Sequence, residues 1–358
     1  MANILDYIDW RGDLDFNNSP FNEIDSLILS RVSYLPFELI INNSDTFTLK
    51  DAYSKFSNIK NLEKKVIWQS DINLIEKISN SKRFQDLKIS DFINILDIEK
   101  EKQFSAITIF LPDDTLYISF RGTDNTLTGW KEDFNMGFTP HVPSQISSVK
   151  YLETISSKYL NKIRLGGHSK GGNLAIYSAI YVSPEIQSRI INIDNHDGPG
   201  FNEEIVESKE YLNILNKIHT FVPQSSVVGM LLNHGSPYNV VQSTAKGLMQ
   251  HDAYSWQLLG TNFIKMKEIT NSSKIIDKTL KDWTKDTTPE QREEILNILF
   301  ELLSSTNSDD VNDLLKNWYR SSMDIIKSYK NISPENKELL SKTITSLTNI
   351  AKNNLFNN

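Results

Sequence analysis

Residues 162–177, KIRLGGHSKGGNLAIY, constrain this chain more than any other stretch. A β-prone run (Ile163, Leu165) enters Gly167-His168-Ser169-Lys170-Gly171, and a helix-prone run from Asn173 to Ala179 leaves it. G-x-S-x-G between a strand and a helix is a nucleophile elbow, a turn so sharp that the serine hydroxyl stands exposed above the sheet. The two glycines serve the packing, because a side chain at either position would run into the neighbouring strand or helix. The outgoing helix aims its free N–H groups and positive dipole end at the space beside the serine, where negative charge would develop. Ser169 is therefore the candidate nucleophile, weighed against an incidental glycine-rich turn.

The flanking segments extend the same architecture. AITIFL (106–111), an Asp113-Asp114 turn and TLYISF (115–120) read as a hairpin. Residues 147–160 read as a helix delivering the chain to the elbow strand, and 189–197 and 217–223 read as the next two strands. This alternation predicts a mostly parallel central sheet with helices on both faces. Residues 22–34 carry Ile24, Leu27, Ile28 and Val32 at helical spacing. Residues 60–100 read as charged and helix-prone. Beyond about 275 the texture changes. Thr288-Pro289-Glu290-Gln291 and Ser333-Pro334-Glu335 open two helices, the first with Ile295, Ile298, Leu299, Leu302 and Leu303 on one face. The expected division is a hydrolase domain over 1–275 and a helical C-terminal appendage over 276–358.

Charge and composition narrow the chemistry. The 358 residues carry 38 basic and 45 acidic side chains, a net charge of −7, which argues against nucleic acid or an anionic membrane as the main partner. With no cysteine, a thiol nucleophile, a disulfide framework and a thiolate metal site are excluded. The start, MANILDYIDWRGDLDF, is acidic and lacks the basic flank and apolar core of a signal peptide. No apolar run reaches membrane-span length, so a cytoplasmic location is expected.

An activated serine needs a base, a group that orients the base, and donors for the oxyanion. In this fold the chain order is serine, acid, histidine, which removes His141 and disfavours His168. His168 reads as packing under the turn, and His196 and His219 read as strand residues. His251 (MQHDAYSW) is the preferred base because it sits in a late loop before a helix-like segment, and His234 (LLNHGSP) is the alternative. Asp197 opens a D-G-P-G turn at the active-site edge of the sheet and is the preferred acid, although turn chemistry alone accounts for an aspartate there. Asp194 is the alternative. Oxyanion donors are expected from Thr123, in Phe120-Arg121-Gly122-Thr123-Asp124, and from the Lys170 amide.

These residues resemble the class 3 lipase branch of the α/β-hydrolase fold. The matches are Phe120-Arg121-Gly122-Thr123, Trp130 with Asp133, and the elbow 167–171, within roughly residues 100–255. Together with the early DYIDWRGDL, the DGPGF turn and the late QHD-x-x-SW, the chain is similar to a bacterial family of lipase-like proteins built on a domain of unknown function. The resemblance implies a serine esterase or lipase mechanism with no cofactor. The chain departs from the lipase pattern at FVPQSSVVGMLL, where Gln224, Ser225 and Ser226 stand where an aspartate is expected. Either the acid has moved to Asp197, as in pancreatic-type lipases, or the triad is incomplete.

The expected function is hydrolysis of a carboxylic ester, of a lipid or an acylated small molecule, through an acyl-enzyme on Ser169. The alternatives are an acyltransferase using the same serine, and a weakly active or inactive scaffold. Residues 124–146 are long enough to form a lid. The C-terminal helices offer a surface for self-association or a protein partner.

Overall fold

The computed structural model describes residues 2–41, 46–124, 126–136, 139, 141–304 and 328–356. Its centre is a sheet built from β1 (Phe47–Thr48), β2 (Lys88–Asp97), β3 (Lys102–Phe110), β4 (Thr115–Phe120), β5 (Lys162–His168), β6 (Ile190–His196), β7 (Ile218–Pro223) and β8 (Tyr238–Val241) in that order. A short pair, β9 (Leu258–Leu259) with β10 (Asn262–Phe263), follows, and β11 (Lys265–Met266) closes the large sheet beside β8. β3 and β4 form the expected antiparallel hairpin, and from β4 to β8 every neighbouring pair is parallel. The parallel strands therefore end along one edge, where the elbow and the loops after β6 and β7 converge.

Two apolar layers sandwich the sheet. On one face, α1 (Ile4–Arg11), α2 (Glu23–Val32), α3 (Leu49–Phe56) and α4 (Ser70–Ser79) bury Ile8, Leu27, Ile28, Leu49, Phe56 and Ile75 against Ile107, Ile109 and Tyr117. After α5 (Leu127–Asn135), the helices α6 (Pro143–Lys158) and α7 (Lys170–Tyr181) cover the other face, and the short helices α8 (Pro184–Arg189), α9 (Glu203–Val206) and α10 (Lys209–Ile214) follow in the chain. On that face α6 and α7 bury Leu152, Ile155 and Leu174 against Ile118, Phe120, Leu165 and Ile193. The odd–even alternation along β4 and β5 sends its residues to these two layers in turn.

Lys88–Asp97 is a strand, although residues 60–100 read from sequence as charged and helix-prone. The reason is a break in its pattern. Its register against β3 shifts between Ser90 and Ile93, with Asp91 at a φ of 55°. Ile89 consequently joins the layer under α1–α4, whereas Ile93 and Ile95 pack towards α6 and α7. One extra residue inverts the parity of the alternation.

The C-terminal region contains α11 (Asn271–Asp286), α12 (Pro289–Ser304) and, last, α13 (Pro334–Phe356). The capping box at Thr288 forms, with Thr288 N–H donating to Gln291 and Gln291 N–H to the threonine hydroxyl. Ile295, Ile298 and Leu302 of α12 are buried against Leu340 and Trp283, while Leu299, expected on the same face, is exposed. The side chain of Leu303 lies outside the described residues. Phe300 meets Phe134 of α5 edge-on at 6.0 Å, and Ser273 of α11 donates to the Ser226 carbonyl beyond β7. Among the described residues, no helix is long and apolar enough to cross a membrane.

Candidate active site

Ser169 sits between β5 and α7 with φ 58° and ψ −136°, a backbone state that a residue with a side chain adopts only under constraint. The constraint is visible on both sides. Its N–H donates to the His196 carbonyl of β6 at 2.9 Å, and its own carbonyl accepts from Gly172 N–H at 2.9 Å. A Cβ at Gly167 would overlap the Gly171 backbone, and one at Gly171 would overlap the Phe120 carbonyl. The sequence thus pays for the tight turn with glycine at both positions where chain meets chain.

Asp197 follows β6, the strand beside the elbow strand, and is fully buried. Its N–H donates to the Phe221 carbonyl of β7 at 2.8 Å. The turn it opens is fastened to α7, because Asn173 donates to the carbonyls of Pro199 and Gly200 at 3.1 and 2.9 Å. His251 ends a short 3-10 turn, Gly247–His251, and brings Nδ1 to 2.7 Å from Asp197 Oδ2. With Nδ1–H donating to the carboxylate, Nε2 is left as the basic atom. Among the described residues the Ser169 hydroxyl makes no hydrogen bond, and catalytic contacts are often loose before substrate binds.

The alternatives are directed elsewhere. Asp194 lies on the α2 face of β6, where its carboxylate accepts from Asn192 at 2.6 Å, and burial pushes it up to about 7. His234 is within 2.6 Å of the Gly229 carbonyl, and burial lowers it. His196 is buried with Nε2 3.2 Å from the Ser26 hydroxyl, and burial takes it down to about 3. His219 lies in β7, and His141 pairs with Tyr177 at 2.7 Å.

His168 does more than pack under the turn. Its Nε2 is 2.8 Å from the His251 carbonyl and the two rings lie 4.6 Å apart. Burial, reinforced by the neighbouring His251 and Arg31, holds it well below its ordinary value, so the neutral ring donates through Nε2. Ser226 is the other unforeseen member: its hydroxyl donates to Asp197 Oδ1 at 2.5 Å and accepts from Gly229 N–H at 3.0 Å. Ser225 and Gln224 tie the same loop to Gln250 and Ser243.

In the loop expected to serve an oxyanion, Thr123 donates its hydroxyl to Asp133 of α5. Gly122 N–H is already engaged by the Tyr34 hydroxyl at 3.1 Å, whereas among the described residues Thr123 N–H has no acceptor. Lys170 supplies the first N–H of α7, which has no intrahelical acceptor. Its side chain is buried, with Nζ 2.8 Å from Gln103 Oε1, 3.1 Å from Glu132 and 3.3 Å from Asp133. Burial alone would lower this ammonium, but Asp133 and Glu132 together raise it. Asp133 thus links the Thr123 loop to the residue after the serine.

The sequence model of the Mbeg1-like family matches residues 78–301, which include Thr123, Ser169, Asp197 and His251. The chain belongs to the Mbeg1-like family. The lipase-like family expected from the motifs is thereby borne out. Among solved structures, this Mbeg1-like chain is similar to the Rhizomucor miehei lipase in its propeptide complex, at 15% identity and a TM-score of 0.41, covering 66% of this chain and 79% of that one. It is also similar to the M37 lipase, at 16% identity and a TM-score of 0.36, covering 58% and 69% respectively. No curated protein matches it.

Proposed function

We propose that this Mbeg1-like protein is a serine hydrolase that cleaves a carboxylic ester through an acyl-enzyme on Ser169. The observation that carries the reading is the pairing of the buried Asp197 carboxylate with His251 at 2.7 Å, on the same sheet edge as a serine held at positive φ. His251 Nε2 takes the Ser169 proton as the hydroxyl attacks the carbonyl carbon, and returns it to the leaving alcohol. Asp197 fixes the imidazole tautomer and balances the imidazolium that forms. The amides of Thr123 and Lys170 receive the oxyanion, each donor being worth a factor of about 10² to 10³. A water activated by the same histidine then releases the acid. The substrate class is an ester of a lipid or of an acylated small molecule.

The test is labelling by a serine-reactive fluorophosphonate together with turnover of p-nitrophenyl butyrate. One label per chain at Ser169, and loss of both signals in Ser169→Ala with an unchanged melting temperature, is the expected outcome. Undiminished turnover in that variant would remove the assignment.

A further inference from the structure

Arg31 of α2 and Asp71 of α4 form a bidentate pair at 2.8 and 2.9 Å whose side chains are 1% and 0% exposed. Buried pairs of this kind are often no more stabilising than apolar residues of the same volume, so stability alone is a weak reason for one here. Its neighbours give a better reason. The Arg31 guanidinium lies 4.0 Å from the Tyr34 ring centre and 5.5 Å from that of Tyr254. Asp71 Oδ1 accepts from the Tyr254 hydroxyl at 2.6 Å. One pair therefore grips two tyrosines.

Each tyrosine reaches a different part of the site. The Tyr34 hydroxyl accepts from Gly122 N–H at 3.1 Å and donates to the His168 carbonyl at 3.0 Å, joining the oxyanion loop to the residue before the nucleophile. The approach is so close that a Cβ on Gly122 would overlap the hydroxyl oxygen. Tyr254 stands three residues after His251, in the loop whose Gln250 carbonyl accepts from Trp256 Nε1 at 2.8 Å. Arg31, Tyr34 and Asp71 all precede residue 78, where the family match begins.

We propose that Tyr34 and Tyr254, gripped by Arg31 and Asp71, are positioning residues that set the Gly122–Thr123 loop and the His251 loop relative to Ser169. The proposal rests on the hydrolase reading. Neither tyrosine touches the reacting atoms. Each acts by fixing where a donor or a base stands, and a displacement of about 1 Å in such a group costs roughly a hundredfold in rate.

Tyr34→Phe and Tyr254→Phe remove the hydroxyls and keep the rings beside Arg31, whereas removing Arg31 would strand a buried carboxylate and unfold the region. The assay is p-nitrophenyl butyrate hydrolysis across pH, with amide hydrogen exchange of the native chain in parallel. Tyr34→Phe should lower kcat by roughly tenfold to a hundredfold, with KM within about twofold and the acid limb of the pH profile unmoved. Exchange should quicken at 121–124 and not along β3. Tyr254→Phe should do the same with faster exchange confined to 247–256. Unchanged kcat, or a loss accompanied by faster exchange throughout the fold, would overturn the proposal. If the wild-type chain shows no ester turnover, the hydrolase reading fails instead. The exchange arm then decides the brace, loosening confined to the two loops supporting it and unaltered exchange overturning it.

Discussion

The Ser226 hydroxyl donates to Asp197 Oδ1 at 2.5 Å, on the carboxylate whose other oxygen faces His251. The two donors come from loops after different strands, so the acid is oriented from two directions. Ser226→Ala should then free Oδ1 and loosen the aim of the imidazole. The expected result is a fall in kcat of roughly tenfold or less, and Asp197→Asn should cost far more, approaching about 10⁴, because it favours the wrong tautomer. Steady-state kinetics of the two variants side by side check the order.

His251 and His234 both lie in late loops, but only His251 faces the carboxylate. His251→Ala should lose nearly as much activity as Ser169→Ala, since members of a triad act as a unit. His234→Ala removes a contact to the Gly229 carbonyl and should leave kcat within about threefold. An inactive His234 variant beside a normal His251 variant would transfer the role of base.

Asp194 titrates near 7 in the fold, mainly because it is buried, against an ordinary value of 3.8. The folded chain therefore keeps a proton that the unfolded chain releases between about pH 4 and 7, and this group's contribution to stability falls as pH rises through that window. Asn does not titrate and can still meet Asn192. Asp194→Asn should match the parent in melting temperature near pH 4 and exceed it above pH 7, a difference that thermal unfolding at several pH values measures directly. A gap that is independent of pH would contradict the buried-carboxyl account.

Ending the chain after residue 275 would cut α11 a few residues past its start and remove the helices that cover Phe134. The shortened protein should melt at a lower temperature or self-associate, because Phe134, already 48% exposed, would lose its aromatic partner. Size-exclusion chromatography and thermal melts decide it. A monomer with an unchanged melting temperature would mark the tail as an independent module.

The elbow, the hairpin and the parallel strands after it could be read directly, because tight turns need glycine and uninterrupted alternation reveals a strand. β2 could not. Its bulge at Asp91 turns the odd positions from one face to the other, so within Lys88–Asp97 Ile89 and Ile93 share a parity and yet join opposite layers. Asp197 and His251 were legible from chain order and loop context. Ser226 reads in the sequence only as a missing aspartate, since nothing local announces that a serine will donate to the carboxylate just beyond the preceding strand. The brace through Tyr34 is hidden for a simpler reason: it joins Tyr34, just past the end of α2, to Gly122, 88 residues away in the chain.

The positive φ at Ser169 sets folding strength against reactivity at a single residue. A side chain in such a backbone state costs of the order of 1–3 kcal/mol, a cost that glycine largely escapes. Under the proposed function, a chain with glycine at 169 would be inert and at least as sturdy, so heat or denaturant resistance cannot serve as a proxy for a working site. A screen that ranked variants by ruggedness alone would enrich chains that had discarded the hydroxyl.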